Sequence, residues 1–429
     1  MAAALLESLL TRRDALPPPR AAAAAALLRD GLPGARDEAW KYTSLRALEQ
    51  RRYAAGDAGA ATRAVDPAAF ALPGIGAPRL VFVNGAFRAD LSDLAEAPGL
   101  ALTPLGTRPD LLAALARSDA AATGAAARGQ AFLRLADALA ADGALLRVAA
   151  GARVESPVHL VFLGAAADAD LAWQLRLRVE LGEGAALRLV EHHVAGGENA
   201  HLGNVVAEHV LAPGARLDLV QIQDAAPSST LIRSSSARLE REARLSAHAV
   251  EVGAQTQRHD LRVELAGAGA RFVSRGVFAL RGRQHADTHL DVRHDARDTA
   301  SDVVWRGVAD QRARGVFHGA ITVAKGADGA DAQLGNKNLL LSPQAEIDTQ
   351  PVLEIHADEV KAAHGATVGQ LDELALFYLR SRGLPREAAR RVLVSAFCGA
   401  ALAGLQPAAL RERLDALLAA RLPSEAVPT

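Results

Sequence analysis

The stretch Leu175-Arg176-Leu177-Arg178-Val179-Glu180-Leu181 alternates apolar and charged side chains for seven residues. Successive side chains of a β-strand point to opposite faces, so this pattern predicts a strand with one face on a core and the other toward water. Leu187–Leu189, Leu217–Leu219 and Leu261–Leu265 show the same alternation. From about Ala144 onward, the middle of the chain is therefore predicted to be β-structure.

A short motif of alanine, arginine and an apolar residue returns along this region, and glycine precedes several of its copies. Three copies begin at Ala215, Ala243 and Ala270, spaced by 28 and 27 residues, and Gly184-Ala185-Ala186-Leu187 lies 30 residues before the first. A strand unit that recurs every 25–30 residues or so is typical of a stacked solenoid. A β-sandwich also has many alternating strands with turn signals, and it is the alternative. The near-constant spacing favours a parallel β-helix that extends to about Thr367.

Helical segments flank the β-region. Residues 1–143 are rich in alanine and leucine, and Asn84-Gly85 between two apolar runs predicts a small β-hairpin inside this helical region. Residues 368–429 show helical spacing throughout. We therefore expect a mainly β protein with helical ends, in which residues 144–367 form the β-helix core.

The first helix of the C-terminal region carries two sets of apolar residues. One stripe at helical spacing consists of Leu371, Leu374, Ala375, Tyr378 and Leu379. Leu376 and Phe377 lie away from that stripe. Two explanations remain open for this pair, namely burial against neighbouring helices and a surface for a partner.

The composition excludes several classes of protein. The 429 residues are 50% apolar and 23% charged, which is typical of a globular chain. A formal charge of −1 argues against a dedicated nucleic-acid binder. No apolar run approaches the roughly 18–20 residues of a membrane span, and the N-terminus does not resemble a signal peptide. We expect a cytoplasmic protein with no membrane or nucleic-acid partner.

Motifs for nucleophilic or nucleotide chemistry are scarce. The single cysteine, Cys398, excludes an internal disulfide framework and is predicted to be a buried core thiol. Gly335-Asn336-Lys337-Asn338 lacks the Ser or Thr and the leading glycine of a phosphate loop. We therefore expect no nucleotide hydrolysis by this chain alone. Many β-helix proteins act on polysaccharides, so a carbohydrate-active lyase or hydrolase is the alternative function.

All 13 histidines lie between His159 and His364, and the densest run is His285–His294. On an extended backbone, His285, Asp287, His289 and Asp291 share one face, which suggests a metal-dependent protein as a third hypothesis. Donors along one straight strand are spaced about 6–7 Å apart, too far for all of them to reach one ion at about 2 Å. We interpret the strand as a polar exposed face of the solenoid.

The end of the β-region resembles a known family. The motif comprises Asn338-Leu339-Leu340-Leu341-Ser342, Pro351-Val352-Leu353-Glu354-Ile355 and the run from Asp358 through Lys361-Ala362-Ala363-His364-Gly365 to Gly369. Leu376-Phe377-Tyr378-Leu379-Arg380-Ser381-Arg382-Gly383 follows, and Glu38-Ala39-Trp40-Lys41-Tyr42-Thr43 resembles an N-terminal signature. This pattern is similar to the SufB/SufD family of iron–sulfur cluster assembly proteins.

The resemblance implies a right-handed parallel β-helix and a complex of one SufB, one SufD and two copies of the ATPase SufC. In such a complex the final β-helix strands pair with SufB, and a homodimer forms when SufB is absent. The C-terminal helices bind SufC, which gives Leu376, Phe377, Tyr378 and Arg380 a partner. The chain alone is then non-catalytic and binds no cofactor, whereas the complex holds iron or a transient iron–sulfur cluster at the SufB seam and can bind a flavin.

One residue of the motif matches the family histidine at the SufB–SufD seam, and one residue departs from the family. His364 is the candidate iron ligand, because a neutral imidazole is a good ligand for iron. The family usually has a cysteine two residues earlier, where this chain has Ala362. The resemblance therefore implies that any thiolate ligand at this seam comes from SufB.

Overall fold

A computed structural model describes residues 4–11, 15–56, 64–116 and 124–421. Its strands are β1 (Ala54–Ala55), β2 (Arg79–Val83), β3 (Ala86–Phe87), β4 (Leu100–Pro104), β5 (Asp142–Val148), β6 (Val158–Ala165), β7 (Leu171–Leu181), β8 (Ala186–Gly196), β9 (Leu202–Leu211), β10 (Arg216–Asp224), β11 (Thr230–Leu239), β12 (Arg244–Glu251), β13 (Thr256–Leu265), β14 (Arg271–Leu280), β15 (His285–His294), β16 (Ala300–Ala309), β17 (Arg314–Val323), β18 (Ala330–Leu340), β19 (Glu346–Ile355) and β20 (Val360–Gly369).

Helices lie at both ends of this strand series. They are α1 (Ala4–Leu9), α2 (Pro18–Asp30), α3 (Arg46–Glu49), α4 (Pro109–Ala114), α5 (Gly124–Gly129), α6 (Ala131–Leu139), α7 (Glu373–Ser381), α8 (Arg386–Gly399) and α9 (Ala408–Arg421). No helix within the described ranges has the length and apolar character needed to span a membrane.

The strands stack into a parallel solenoid of two sheets. The first sheet takes the odd-numbered strands from β5 to β19, and the second takes the even-numbered strands from β6 to β20. Each turn thus contributes one strand to each sheet, and consecutive strands within a sheet are parallel. The prediction of a β-helix is confirmed, because the parallel register excludes the β-sandwich alternative.

The repeated motif occupies one column of the second sheet. Arg216 pairs with Arg244, and Arg244 pairs with Arg271, so its copies are in register on neighbouring strands. Each preceding alanine, from Ala185 through Ala215 and Ala243 to Ala270, is fully buried at the corner where the chain enters the second sheet. The spacing in the sequence therefore reports the length of one solenoid turn.

Apolar side chains form three layers around the two sheets. The largest core lies between the sheets and includes Leu175, Leu177, Val179 and Leu181 of the alternating stretch. The N-terminal helices pack on the outer face of the first sheet, and α8 and α9 pack on the outer face of the second. The outer faces of both sheets are therefore partly covered by helices.

This cover corrects one expectation. Arg176, predicted to face water, is buried because the N-terminal helices lie over it. Its guanidinium forms an ion pair with Asp137 and donates a hydrogen bond of 2.9 Å to the Leu115 carbonyl. Alternation identified the strand and its inner face but carried no information about the element covering the other face.

The N-terminal region also adds strands to the solenoid. The predicted hairpin is present, with Phe82 opposite Phe87 and positive φ values of 48° at Asn84 and 85° at Gly85. Strand β2 pairs with β6, while β4 pairs antiparallel with β5. These strands cover the first turn of the solenoid.

We expect substitution in the alanine column to destabilise the fold. Ala243→Leu adds three carbons to a fully buried corner, and overpacking of a close-packed core costs about 1–3 kcal/mol. Arg244→Ser, one residue away at an exposed position, is the control and should change the free energy of unfolding by less than about 0.5 kcal/mol. Urea denaturation followed by circular dichroism measures both, and an unchanged midpoint for Ala243→Leu would contradict close packing there.

Several buried histidines make stability depend on pH. The rings of His159 and His192 stack with centroids 5.6 Å apart on the second sheet. Burial lowers the pKa of His159 to about 3 and the pKa values of His192 and His294 to about 4. These imidazoles therefore stay neutral in the folded state at pH values where the unfolded chain binds protons.

The free energy of unfolding should consequently be fully retained above about pH 6.5 and should fall as the pH drops toward 4. One such histidine contributes a slope of up to about 1.4 kcal/mol per pH unit. His192→Leu should reduce the slope between about pH 6 and 4.5 by that amount. Denaturation at about pH 8 measures the packing change separately, and an unaltered slope would contradict the assignment.

Candidate functional site

The two ends of the solenoid differ. At the first turn, the N-terminal strands pair with β5 and β6. At the last turn, Glu346–Ile355 and Val360–Gly369 each have a single neighbour in the sheet order, so each leaves one backbone edge without a partner among the described strands. Ile355 and Val368 are exposed at this end. An unpaired edge beside exposed apolar residues is a template for strand addition from another chain.

The sequence-predicted metal candidate lies on this last strand. His364 is opposite Leu334, and Ala362 is opposite Ala332, which are both buried in the core between the sheets. Ala362 packs against that core, whereas the His364 side chain is exposed. His364 and Ala362 therefore lie on the same inward-facing side of the last strand, at the point where the solenoid ends.

A polar cluster lies directly beneath the open end, and the sequence analysis missed it. The Asn336 Oδ1 accepts hydrogen bonds of 2.5 Å from Asn338 Nδ2 and 2.7 Å from Thr349 Oγ1. Asn338 also donates to the Thr367 carbonyl on the last strand at 3.1 Å. The sequence analysis considered Asn336 and Asn338 only in the comparison with a phosphate loop. Their spacing of two residues, which places both side chains on one face of a strand, could have indicated the cluster. These bonds hold β20 on the preceding turn.

Charged groups are buried deeper between the sheets. Glu191 forms an ion pair with Arg233, and its Oε1 lies 3.6 Å from His209 Nε2. Burial opposes ionisation of Glu191, yet Arg233 and His209 hold its pKa at about 2. Two turns farther on, the Glu251 Oε2 accepts from Gln257 Nε2 at 2.7 Å and from Thr288 Oγ1 at 2.9 Å. These partners compensate much of the cost of burying two carboxylates.

The histidine strand is not an exposed polar face, contrary to our interpretation. Asp287 is fully buried because the segment around Thr43 covers it. The Thr43 hydroxyl and the Arg258 guanidinium both donate to Asp287, the latter at 2.6 Å, and Arg258 lies 4.1 Å from the Trp40 ring centroid. The Glu38–Thr43 signature thus fixes the N-terminal region to the first sheet.

The same strand does not assemble a metal site. No group of three or more histidine, cysteine, aspartate or glutamate side chains within the described ranges is arranged to hold a metal ion. His289 instead stacks on His318 with centroids 4.9 Å apart, and its Nε2 lies 2.9 Å from Asp287 Oδ1. The geometry therefore gives no support to the hypothesis of a metal centre on β15.

The C-terminal helices carry an exposed apolar surface. Leu374, Phe377 and Tyr378 on α7 are 79%, 68% and 56% exposed. We define these three residues as the α7 face. Arg380 on the same helix is also exposed. Exposed aromatic and aliphatic groups at helical spacing are typical of a helix that binds a partner.

One expectation about this helix was wrong. Leu376, to which the resemblance gave a partner, is 2% exposed, so burial is the explanation that holds for this residue. Leu374 and Tyr378, from the stripe at helical spacing, are exposed. A helix with apolar residues on two sides can bury either side. The periodicity of the sequence does not show which side packs against the neighbouring helix. Cys398 is buried as predicted, and burial raises the pKa of its thiol to about 12.

Comparison with known proteins agrees with this architecture. Residues 162–397 match the SUF system FeS cluster assembly, SufBD core domain, and residues 11–160 match the SufBD protein N-terminal region. The iron-sulfur cluster assembly protein SufD of Escherichia coli is 29% identical over 402 residues, covering 93% of this chain and 92% of that protein. An iron-sulfur cluster assembly SufBD family protein of Synechocystis is 32% identical, covering 91% and 87%.

The family domain that matches residues 162–397 spans more than half of the 429-residue chain and contains most of the solenoid. The chloroplastic protein ABCI7 of Arabidopsis thaliana, at 30% identity, aligns with 60% of the chain. With its two-sheet solenoid between helical ends, this chain belongs to the SufBD family of iron–sulfur cluster assembly proteins.

Proposed function

We propose that the chain is a non-catalytic, SufD-like subunit of a cytoplasmic iron–sulfur cluster assembly complex. It pairs with a SufB-like paralogue and binds a SufC-like ATPase. The observation that carries the proposal is the asymmetry of the solenoid, which is covered at its first turn and open at its last. The family assignment leaves no observation that favours the carbohydrate-active alternative.

The open end supports the pairing with a paralogue. Two adjacent edges, on β19 and β20, present backbone groups that no described strand pairs. A second solenoid with an open end would present edges of the same kind. A partner that continues both sheets would satisfy those groups and cover Ile355 and Val368. In the absence of the paralogue, a second copy of this chain would offer the same strand edges, and the two copies would form a homodimer.

The placement of His364 supports a role at that seam. Its side chain is exposed in the isolated chain and shares a register column with the interior of the solenoid, so a partner on the open end would lie against it. Because Ala362 supplies no thiolate, His364 would complement cysteine ligands from the paralogue, and iron or a nascent cluster is the substrate. Flavin binding would likewise be a property of the complex.

The α7 face supports binding of the ATPase. Leu374, Phe377 and Tyr378 lie on α7, a helix outside the strand series that begins four residues after the last strand ends. Arg380 would add a charged contact at its margin. Two separate surfaces allow one chain to hold a paralogue and an ATPase at the same time.

The His364→Ala variant should leave folding and partner binding intact and should impair cluster assembly. The His364 side chain is exposed, so the substitution removes a candidate iron ligand without opening a cavity in the core. His356→Ala, another exposed histidine near the last turns, is the matched control. Iron and sulfide content of the co-purified complex measures the effect, and a normal cluster load in His364→Ala would exclude this histidine from the seam chemistry.

The double variant Leu374→Asp/Phe377→Asp should weaken binding of the ATPase at least tenfold, because burying a carboxylate in an apolar interface is unfavourable. Leu94→Asp replaces an apolar residue that is 45% exposed elsewhere on the chain, and it serves as the control. Calorimetric titration with purified SufC from the same host measures the affinity. Equal affinity for the double variant and the wild type would remove the α7 face from the interface.

A further inference from the structure

The arginines of the repeated motif have no role in the solenoid core. Arg216, Arg244 and Arg271 are exposed, and the register places them on three consecutive strands of the second sheet. Ala186 and Ala300 occupy the same column on either side. We call these three residues the arginine ladder. Adjacent strands lie about 4.8 Å apart, so the ladder extends over about 10 Å.

The ladder lacks the pairing seen elsewhere on the surface. Its three guanidiniums form no hydrogen bond or ion pair with any residue that the structure describes. On the first sheet, by contrast, Arg238 contacts Glu264 at 2.5 Å and Arg293 contacts Asp295 at 2.9 Å. Glu264 lies in register between Arg238 and Arg293 on neighbouring strands, so a carboxylate separates these two arginines.

Stacking like charges in register is unfavourable. Identical charges directly opposite one another on neighbouring strands destabilise a sheet. Three guanidiniums in one line also create a local positive potential on a chain whose formal charge is −1. Each guanidinium can donate two parallel hydrogen bonds to one carboxylate, so the line suits a ligand with several closely spaced carboxylates.

The carboxylates nearby restrict what can bind. Glu183 and Glu242 are exposed in the turns that precede the motif, and Glu242 is 3.5 Å from Arg241. Asp218 lies two residues beyond Arg216, and although burial raises its pKa, Arg188 and Arg216 act in the opposite direction. A long polyanion would extend past the ladder toward these carboxylates, whereas a ligand of about 10 Å matches the length of the ladder itself.

We propose that the arginine ladder is a docking site for a short acidic segment of a protein. Two or three carboxylates on one turn of a helix or along a strand match its length. The site is separate from both the open end and the α7 face, and it does not depend on the function proposed above. The ligand is a peptide segment rather than nucleic acid, because a phosphate backbone requires a longer basic surface.

The test uses the full chain and a fluorescent peptide with three consecutive glutamates, which spans about 10 Å when extended. Binding is followed by anisotropy at about 50 mM and about 300 mM salt. The wild type should bind at low salt and lose most of its affinity at high salt. The variant Arg216→Ser/Arg244→Ser/Arg271→Ser should bind about tenfold more weakly, as expected for the loss of three exposed ion pairs. No binding by the wild type at low salt would overturn the proposal.

A matched variant separates the ladder from total charge. Arg238→Ser/Arg262→Ser/Arg293→Ser changes the net charge equally on the first sheet and should weaken binding less than about twofold. Equal losses in the two variants would overturn the proposal. If oligothymidylate displaces the peptide more strongly than the unlabelled triglutamate peptide does, the assignment to an acidic protein segment would be overturned.

The Tm of the ladder variant distinguishes a binding role from a structural one, because the loss of stabilising arginines would lower the Tm. Because the ladder is a line of like charges, its removal should leave the Tm unchanged or raise it. A Tm below that of the first-sheet variant would assign the arginines to stability and would contradict the proposal.

Discussion

The fold depends on hydrogen bonding between successive turns in parallel register. From β6 and β7 to β17 and β18, each strand pairs its backbone groups with one strand on either side in its sheet. This arrangement requires turns of nearly equal length and a small residue where the chain turns into the second sheet, which Ala185, Ala215, Ala243 and Ala270 provide. The strands at each end of the solenoid have no further turn with which to pair their outer backbone edges. The N-terminal strands pair with those edges at the first turn, whereas the edges of the last turn are available to a partner.

The helical ends cover the sheets in different ways. At the N-terminus, Trp40 and Thr43 reach Arg258 and Asp287 on two neighbouring strands and hold the segment on the first sheet. At the C-terminus, α9 packs its leucines on the second sheet, while α7 extends outward and keeps Leu374, Phe377 and Tyr378 exposed. The surfaces proposed for the ATPase and the paralogue are therefore carried by separate parts of the chain, and the arginine ladder lies on a third.

Much of the solenoid was predictable because its periodicities are local. The alternation at Leu175–Leu181 identified a strand, and the alanine–arginine motif measured the turn length, since its copies stand in register. Contacts between distant segments were not predictable in the same way. Nothing near Asp287 in the sequence indicates that Thr43 covers it, and nothing near Arg176 indicates the contact with Asp137. The burial of Leu376 was also not predictable, because α7 has apolar residues on two sides and its sequence does not show which side is buried.

The central claim is that the last turn is an interface for a second solenoid. Hydrogen–deuterium exchange, measured on the isolated chain and on the chain mixed with the SufB paralogue of its host, tests this claim most directly. The account predicts that backbone amides in Glu346–Ile355 and Val360–Gly369 exchange more slowly in the mixture, while interior strands such as Thr256–Leu265 keep their rates. Unchanged exchange in both terminal strands, with protection appearing elsewhere on the chain, would contradict it.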